Sequence, residues 1–200
     1  MADAIARPLP VRAQALLDFW FATPDAADFD RSRDIWFTAD AAFDAALRAR
    51  FLDDQKLAAA GRYDGWMGTA DGSVALVLLL DQLPRNLYRG TPAAFASDEK
   101  ALSVARQAVA RGFDGGLADV RRWFLYLPFE HSESLADQET SVALFRSLPK
   151  TPDNDVTADY ALRHREIIRR FGRFPHRNRI LGRLSTPEEE AFLQQPNSSF

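Results

Sequence analysis

Apolar residues recur at three- and four-residue intervals along nearly the whole chain, and no stretch alternates with a period of two, so the pattern predicts an all-α protein. A first helix over about 11–21 carries Leu16, Leu17 and Trp20 on one face and is stopped by Thr23-Pro24. Asp40 is an N-cap candidate for a second helix, with Phe43, Leu47, Phe51 and Leu57 on its apolar face and Gly61 at its exit. After a connection over 65–72, a third helix over about 73–82 is apolar nearly all round, which places it at the centre of a bundle. Pro84 should interrupt it. A fourth helix has Asp98 and Glu99 in its first turn and leaves at Gly112. A fifth covers about 117–127 and should stop at Pro128, a sixth covers about 134–148, and a seventh runs from about 156 to Phe171, closed by Gly172. Thr186-Pro-Glu-Glu189 is a capping box that opens a last helix ending near Leu193. The expectation is one domain over 1–200, a bundle of about eight helices, with 1–9 and 196–200 frayed.

Composition adds limits. A chain of 200 residues with 46% hydrophobic and 26% charged residues fits one globular domain with a sizeable core. Cysteine is absent, which excludes disulfides, thiolate metal sites and cysteine nucleophiles. The longest strongly apolar run, 74–80, is far short of the ~20 residues a membrane crossing needs, and no apolar leader precedes Asp18, so the expectation is a soluble cytoplasmic protein. A net charge of -3 gives no global field for nucleic acid, yet eight arginines against the single acid Glu166 make 163–183 a cationic strip.

Two segments concentrate the chemistry. Tyr126-Leu-Pro-Phe-Glu-His-Ser-Glu133 and the stretch from His164 to Asn178 hold all three histidines beside carboxylates and arginines. They read as two walls of one site. His131 lies in a loop with Glu130 and Glu133 within reach, and a carboxylate beside an imidazole orients it for general acid or base work. A helix-capping role for Ser132, Ser134 and Glu133 explains the same residues equally well. His164 falls on the apolar face of its helix and reads as a satisfied core histidine. His176 follows Pro175 in an arginine-rich turn and should be accessible, with Arg173, Arg177 and Asn178 as donors suited to phosphate or carboxylate. Asp81 ends the most buried helix and needs a cationic or donor partner, for which Arg85 is near in sequence and Arg173 or a histidine distant. Gln82 and Asn86 adjoin it. There is no HExxH, G-x-S-x-G elbow, P-loop or dinucleotide fingerprint, and neither a metal nor a cofactor is expected.

Over nearly its whole length the chain resembles the bacterial domain of unknown function 924. The resemblance rests on Asp18-Phe-Trp-Phe21, Trp36-Phe37, Leu78-Leu-Leu-Asp-Gln-Leu-Pro-Arg-Asn-Leu-Tyr-Arg-Gly90, Phe95-Ala-Ser-Asp98, Leu127-Pro-Phe-Glu-His-Ser-Glu133 with Gln138, and His164 through Arg183 followed by Ser185-Thr186. It implies an all-helical fold similar to the tetratricopeptide-like superfamily and implies no activity. Leu83 and Phe129 are small apolar departures.

Three readings compete. In the first, Arg85, Arg173 and Arg177 hold a small anionic ligand while His131, with Glu133, or His176 transfers a proton; Asp81, Gln82, Asn86, Gln138, His164 and Asn178 line the same pocket. In the second, the bundle is a scaffold for a peptide or protein, with Trp20, Trp36, Trp123 and Phe174 as anchors. The third, RNA on the 163–183 strip with Phe171 and Phe174 stacking on bases, is opposed by Glu188–Glu190 and the net charge. The first requires that the two segments converge.

Overall fold

The computed structural model describes residues 8–196, 198 and 199, so the expected fraying of 1–7, 197 and 200 lies outside the described residues. Among the described residues the chain is helical with no strand. We number eight helices: α1 Val11–Phe21, α2 Ala41–Ala59, α3 over 70–87, α4 Asp98–Ala110, α5 Asp119–Glu130, α6 Leu135–Arg146, α7 Pro152–Phe171 and α8 Pro187–Leu193.

Helix α3 is a composite rod. Ala70–Val77 is α-helical, Leu78–Gln82 forms a π turn, and Leu83–Leu87 is α-helical again. Every side chain from Val74 through Leu80, with Leu83, is fully buried, as an all-round apolar sequence requires. Truncating a leucine in such a position to alanine typically costs about 2–5 kcal/mol. Two details of this rod differ from the sequence expectation. The connection over 65–72 is largely structured: a 3-10 turn Asp64–Gly68 leads to Thr69, whose Oγ1 accepts the Gly72 N–H at 3.1 Å and starts the helix. Gly72 is obligatory here, because a Cβ would stand 2.2 Å from the Trp66 carbonyl oxygen. Pro84 does not end the rod either. The Leu83 N–H reaches back to the Leu78 carbonyl in π register, and the Leu80 carbonyl, which the proline nitrogen cannot serve, accepts the Ser97 hydroxyl at 2.6 Å.

Around the rod pack α1, α2, α4 and α5, with an aromatic cluster between them. Trp36 and Phe124 meet edge to face at 4.9 Å, and Trp20 meets Phe124 in the same manner at 5.4 Å. Helix α5 runs through Pro128 to Glu130, three residues beyond its expected stop, and His131 caps it. Helix α7 starts at Pro152 under the Thr151 cap rather than near Val156, because proline is tolerated at the first helical position. The short connections 131–134 and 147–151 turn the chain back twice, so α5, α6 and α7 form a layer in which α6 and α7 make the most extensive helix pair. The capping box at Thr186 and Glu189 opens α8 as expected.

Candidate functional site

The π turn sets the site. One residue more per turn at Leu78–Gln82 places Asp81 in the interior with no exposed surface, facing the end of α5. Its Oδ1 lies 2.7 Å from His131 Nδ1 and 3.5 Å from Arg85 Nη2, and its Oδ2 accepts the Gln82 side-chain amide at 2.6 Å. Burial alone would raise the Asp81 carboxyl. The His131 ring and the Arg85 guanidinium facing it bring it below the ordinary carboxylate range instead. Burial pulls the His131 imidazole down against the field of Asp81, and because the ionised carboxylate only accepts, Nδ1 carries the hydrogen donated to it. Nε2 is then the basic nitrogen.

His131 borders an open cleft of about 480 Å³ that lies between the N-terminal end of α4, the α5–α6 connection and the 3-10 turn Pro175–Arg177. Its floor is apolar, with Phe95, Leu102, Pro128 and Leu181, and its polar wall carries Asp98, His131, Glu133 and Arg177. Arg85 holds both oxygens of Asp98 at 3.1 Å, and Arg177 Nη1 reaches the His131 carbonyl at 3.1 Å and Asp98 at 3.5 Å. The Arg177 guanidinium stacks between Phe95 at 4.8 Å and Phe174 at 4.5 Å. Burial, then the nearby Arg85, pushes it down to about 10. A lowered arginine marks a point where positive charge is undercompensated.

Behind His131 lies a second carboxylate–histidine pair. Glu130 Oε1 is 3.0 Å from His164 Nδ1, both side chains are buried, and the His131 and His164 ring centroids are 6.4 Å apart. His164 Nδ1 also donates to the Tyr160 carbonyl at 2.9 Å, which satisfies it as a core histidine, as its helix face implied. Burial holds that ring down to about 3.

The two walls do meet. Phe174 N–H donates to Glu133 Oε1 at 2.8 Å, Arg183 takes both Glu133 oxygens at 2.6 and 2.9 Å, and Arg177 grips the His131 carbonyl. Several expected site residues, however, are spent on the fold. Glu133 is the clasp just described rather than a base beside His131. Gln138 is fully buried and donates to the Glu130 and Ser132 carbonyls, closing the end of α5. Asn86 donates to Asp44 at 2.7 Å, tying α3 to α2, and Asn178 bonds Ser185 and Glu189. Arg173 is the partner neither of Asp81 nor of the cleft, for its guanidinium holds both oxygens of Glu189, at 2.7 and 2.8 Å. His176 is half-buried against Phe174 at 5.6 Å rather than accessible, and burial, then Arg177, brings its ring down to about 4.

The anchors named for a peptide scaffold are core: Trp20, Trp36, Trp123 and Phe174 are all buried. In the cationic strip Arg163 pairs with Asp159, Arg165 with Glu139, Arg169 with Glu166, Arg170 with Glu188, and Phe171 packs on Phe192 at 5.1 Å. Among the described residues no three His, Asp or Glu side chains gather in a metal-ligand arrangement, and no helix is long and apolar enough to cross a membrane. Sequence reasoning missed Asp98 and Phe95, which it assigned to a helix start and to the family pattern. It also set Glu130 beside His131, whereas Asp81 orients that ring. The signal for Asp81 was present, since a carboxylate in an otherwise apolar rod must find a donor.

No curated protein matches this chain. The solved structure of the protein of unknown function ATU0120 from Agrobacterium tumefaciens is similar with a TM-score of 0.81 and 42% sequence identity, over 91% of this chain and 96% of that one. The family described as bacterial protein of unknown function (DUF924) matches residues 16–197, which takes in the rod, the cleft and both histidine segments. The chain belongs to that family.

Proposed function

We propose that the cleft binds a small molecule bearing a carboxylate or phosphate, and that His131 exchanges a proton with it. The observation that carries this reading is the 2.7 Å contact of His131 Nδ1 with a fully buried Asp81, at the edge of an open cleft and beside Arg177. The carboxylate fixes the tautomer and steadies the imidazolium that forms when Nε2 takes a proton, which is what a general base needs. Arg177 presents a planar fork stiffened by two aromatic faces, suited to an oxyanion, and an arriving negative charge relieves its burial. The apolar floor would seat the rest of the ligand. In this reading α5, α6 and α7 stack as tetratricopeptide-like antiparallel pairs and the ligand comes from a cytoplasmic pool of small acids.

A thermal-shift screen of carboxylated and phosphorylated metabolites tests it. At least one acid should raise the melting temperature of the wild type, and the gain should vanish in Arg177→Lys, which keeps the charge and loses the fork. A panel without a single stabilising acid, or stabilisation that survives both Arg177→Lys and His131→Gln, rejects this reading.

A further inference from the structure

The second carboxylate–histidine pair has no role in the binding reading, yet it buries a carboxylate without a cation beside it among the described residues. Glu130 is 3% exposed, its Oε2 has no hydrogen-bond partner, and its Oε1 meets only the His164 Nδ1 edge, whose hydrogen is already directed to the Tyr160 carbonyl. Among the described residues no arginine or lysine lies within ion-pair distance of it. An ionised carboxylate in that setting would be buried without compensation, and a group so placed takes up a proton instead. The adjoining Asp81 drives it the same way. That aspartate keeps its negative charge through Arg85 and His131, so a second charge on Glu130 would be repelled.

We propose that Glu130 is a positioning residue that acts through His131: a neutral carboxylic acid behind the ring whose ionisation raises the proton affinity of His131. It rests on the reading of His131 as the acting group. Two carboxylates and two imidazoles form one buried cluster, with the rings 6.4 Å apart, in surroundings where charges are weakly screened. With Glu130 neutral, Asp81 is the negative charge in contact with the His131 ring, with Arg85 opposing it and Asp98 farther off. When Glu130 ionises, its proton leaves to solvent and a second negative charge faces the two rings.

The groups around Glu130 determine where that happens. The π turn brings Asp81 with Arg85 behind it, and α7 brings His164. Farther off, on the His131 side of the cluster, the 3-10 turn brings His176 against Phe174 and Arg177 against Asp98 at the start of α4, and α6 brings the neutral Gln138 amide to the Glu130 carbonyl. Burial, then Asp81, raises the Glu130 carboxyl to about 8, in line with the geometry.

Infrared difference spectra of the ligand-free full chain between pH 6 and pH 10 read the carboxylic acid directly. A protonated C=O band should be present at neutral pH, fade through about pH 8, and be missing from Glu130→Gln. In 15N-histidine NMR of the same samples, the His131 resonances, assigned with His131→Gln, should shift with the same inflection and lose it in Glu130→Gln. Should Glu130→Gln not fold, Asp81→Asn provides the second arm, because removing the aspartate charge should move the inflection of the band to lower pH. No protonated band at neutral pH overturns the proposal, as does a band whose loss leaves the His131 signals unmoved. Both measurements are made without ligand, so an empty metabolite screen would refute the binding reading and leave this one standing.

Discussion

The two carboxylate–histidine pairs of this cluster are made of the same groups and differ in what stands beside them. Asp81 has Arg85 across from it and a second donor in Gln82, whereas Glu130 has, among the described residues, no cation beside it and an unbonded oxygen. His131 reaches the cleft with 13% of its side chain exposed, while His164, on the inner face of α7, is sealed at 6%. The consequence is a division of charge. One carboxylate is an anion that orients a ring, and the other is an acid that stores a proton. Asp81 has a cation as well as a histidine facing it, whereas Glu130 has its histidine alone, and that difference separates their states.

The comparison breaks most visibly at its charged half. Asp81→Asn should cost about 3–5 kcal/mol, because it leaves the Arg85 guanidinium short of its buried partner. Chemical denaturation at pH 7 measures this, and a loss below about 1 kcal/mol would show that Asp98 alone suffices for Arg85.

The neutral half predicts the opposite sign. Glu130 has a folded-state value raised to about 8 against an ordinary 4.5, so between those limits the unfolded chain gives up a proton that the folded one keeps. Its contribution is therefore full below about pH 4.5 and falls as pH rises toward 8, by about 1.4 kcal/mol per pH unit. Glu130→Gln removes that slope, so the variant should match the wild type near pH 4.5 and exceed it by a few kcal/mol, as an order of magnitude, near pH 8. Denaturation at a series of pH values reads the difference, and a variant weaker than wild type at pH 8 would mean that Glu130 is ionised and paired. His164 works in the other direction: its folded-state value of about 3 against 6.5 means that its contribution is lost as pH falls between those values.

The smallest effect on stability should come from His131→Gln, at about 1 kcal/mol or less, because the glutamine amide can donate to Asp81 in place of the ring. The same variant should lose the stabilisation that an acidic ligand confers. Parallel melts with and without the ligand separate the two quantities.

The helical frame was legible because its causes are local. Period, caps and the apolar run over 74–80 specify helices and the central rod directly, and Val11–Phe21 begins and ends where its pattern does. Proline misled at 84 and 128, where tertiary contacts supply what the missing N–H withdraws, as Ser97 does for Leu80. The site was legible as a density of functional groups and opaque as a set of partners. Arg173 and Arg177 stand four residues apart in one strip, yet one is bound to the capping glutamate of α8 and the other lines the cleft. Nothing in their spacing separates them, since the partner of each comes from an element distant in the chain. Asp98 was hidden for the same reason: a carboxylate in a first helical turn has an adequate local explanation.

The π turn at Leu78–Gln82 separates two demands on one rod. The bundle asks these positions only to be apolar and to fill volume, and it would accept the leucines in several rotational settings. The site asks for one angle. A five-residue π turn covers about the rotation of four α-helical residues, so closing the same five residues in plain α-helical register would swing everything downstream by about 100° and turn Asp81 from His131, while still leaving a leucine-rich rod to bury. The facing of Asp81 toward His131 therefore depends on keeping the π turn more than on the identity of any single leucine within it.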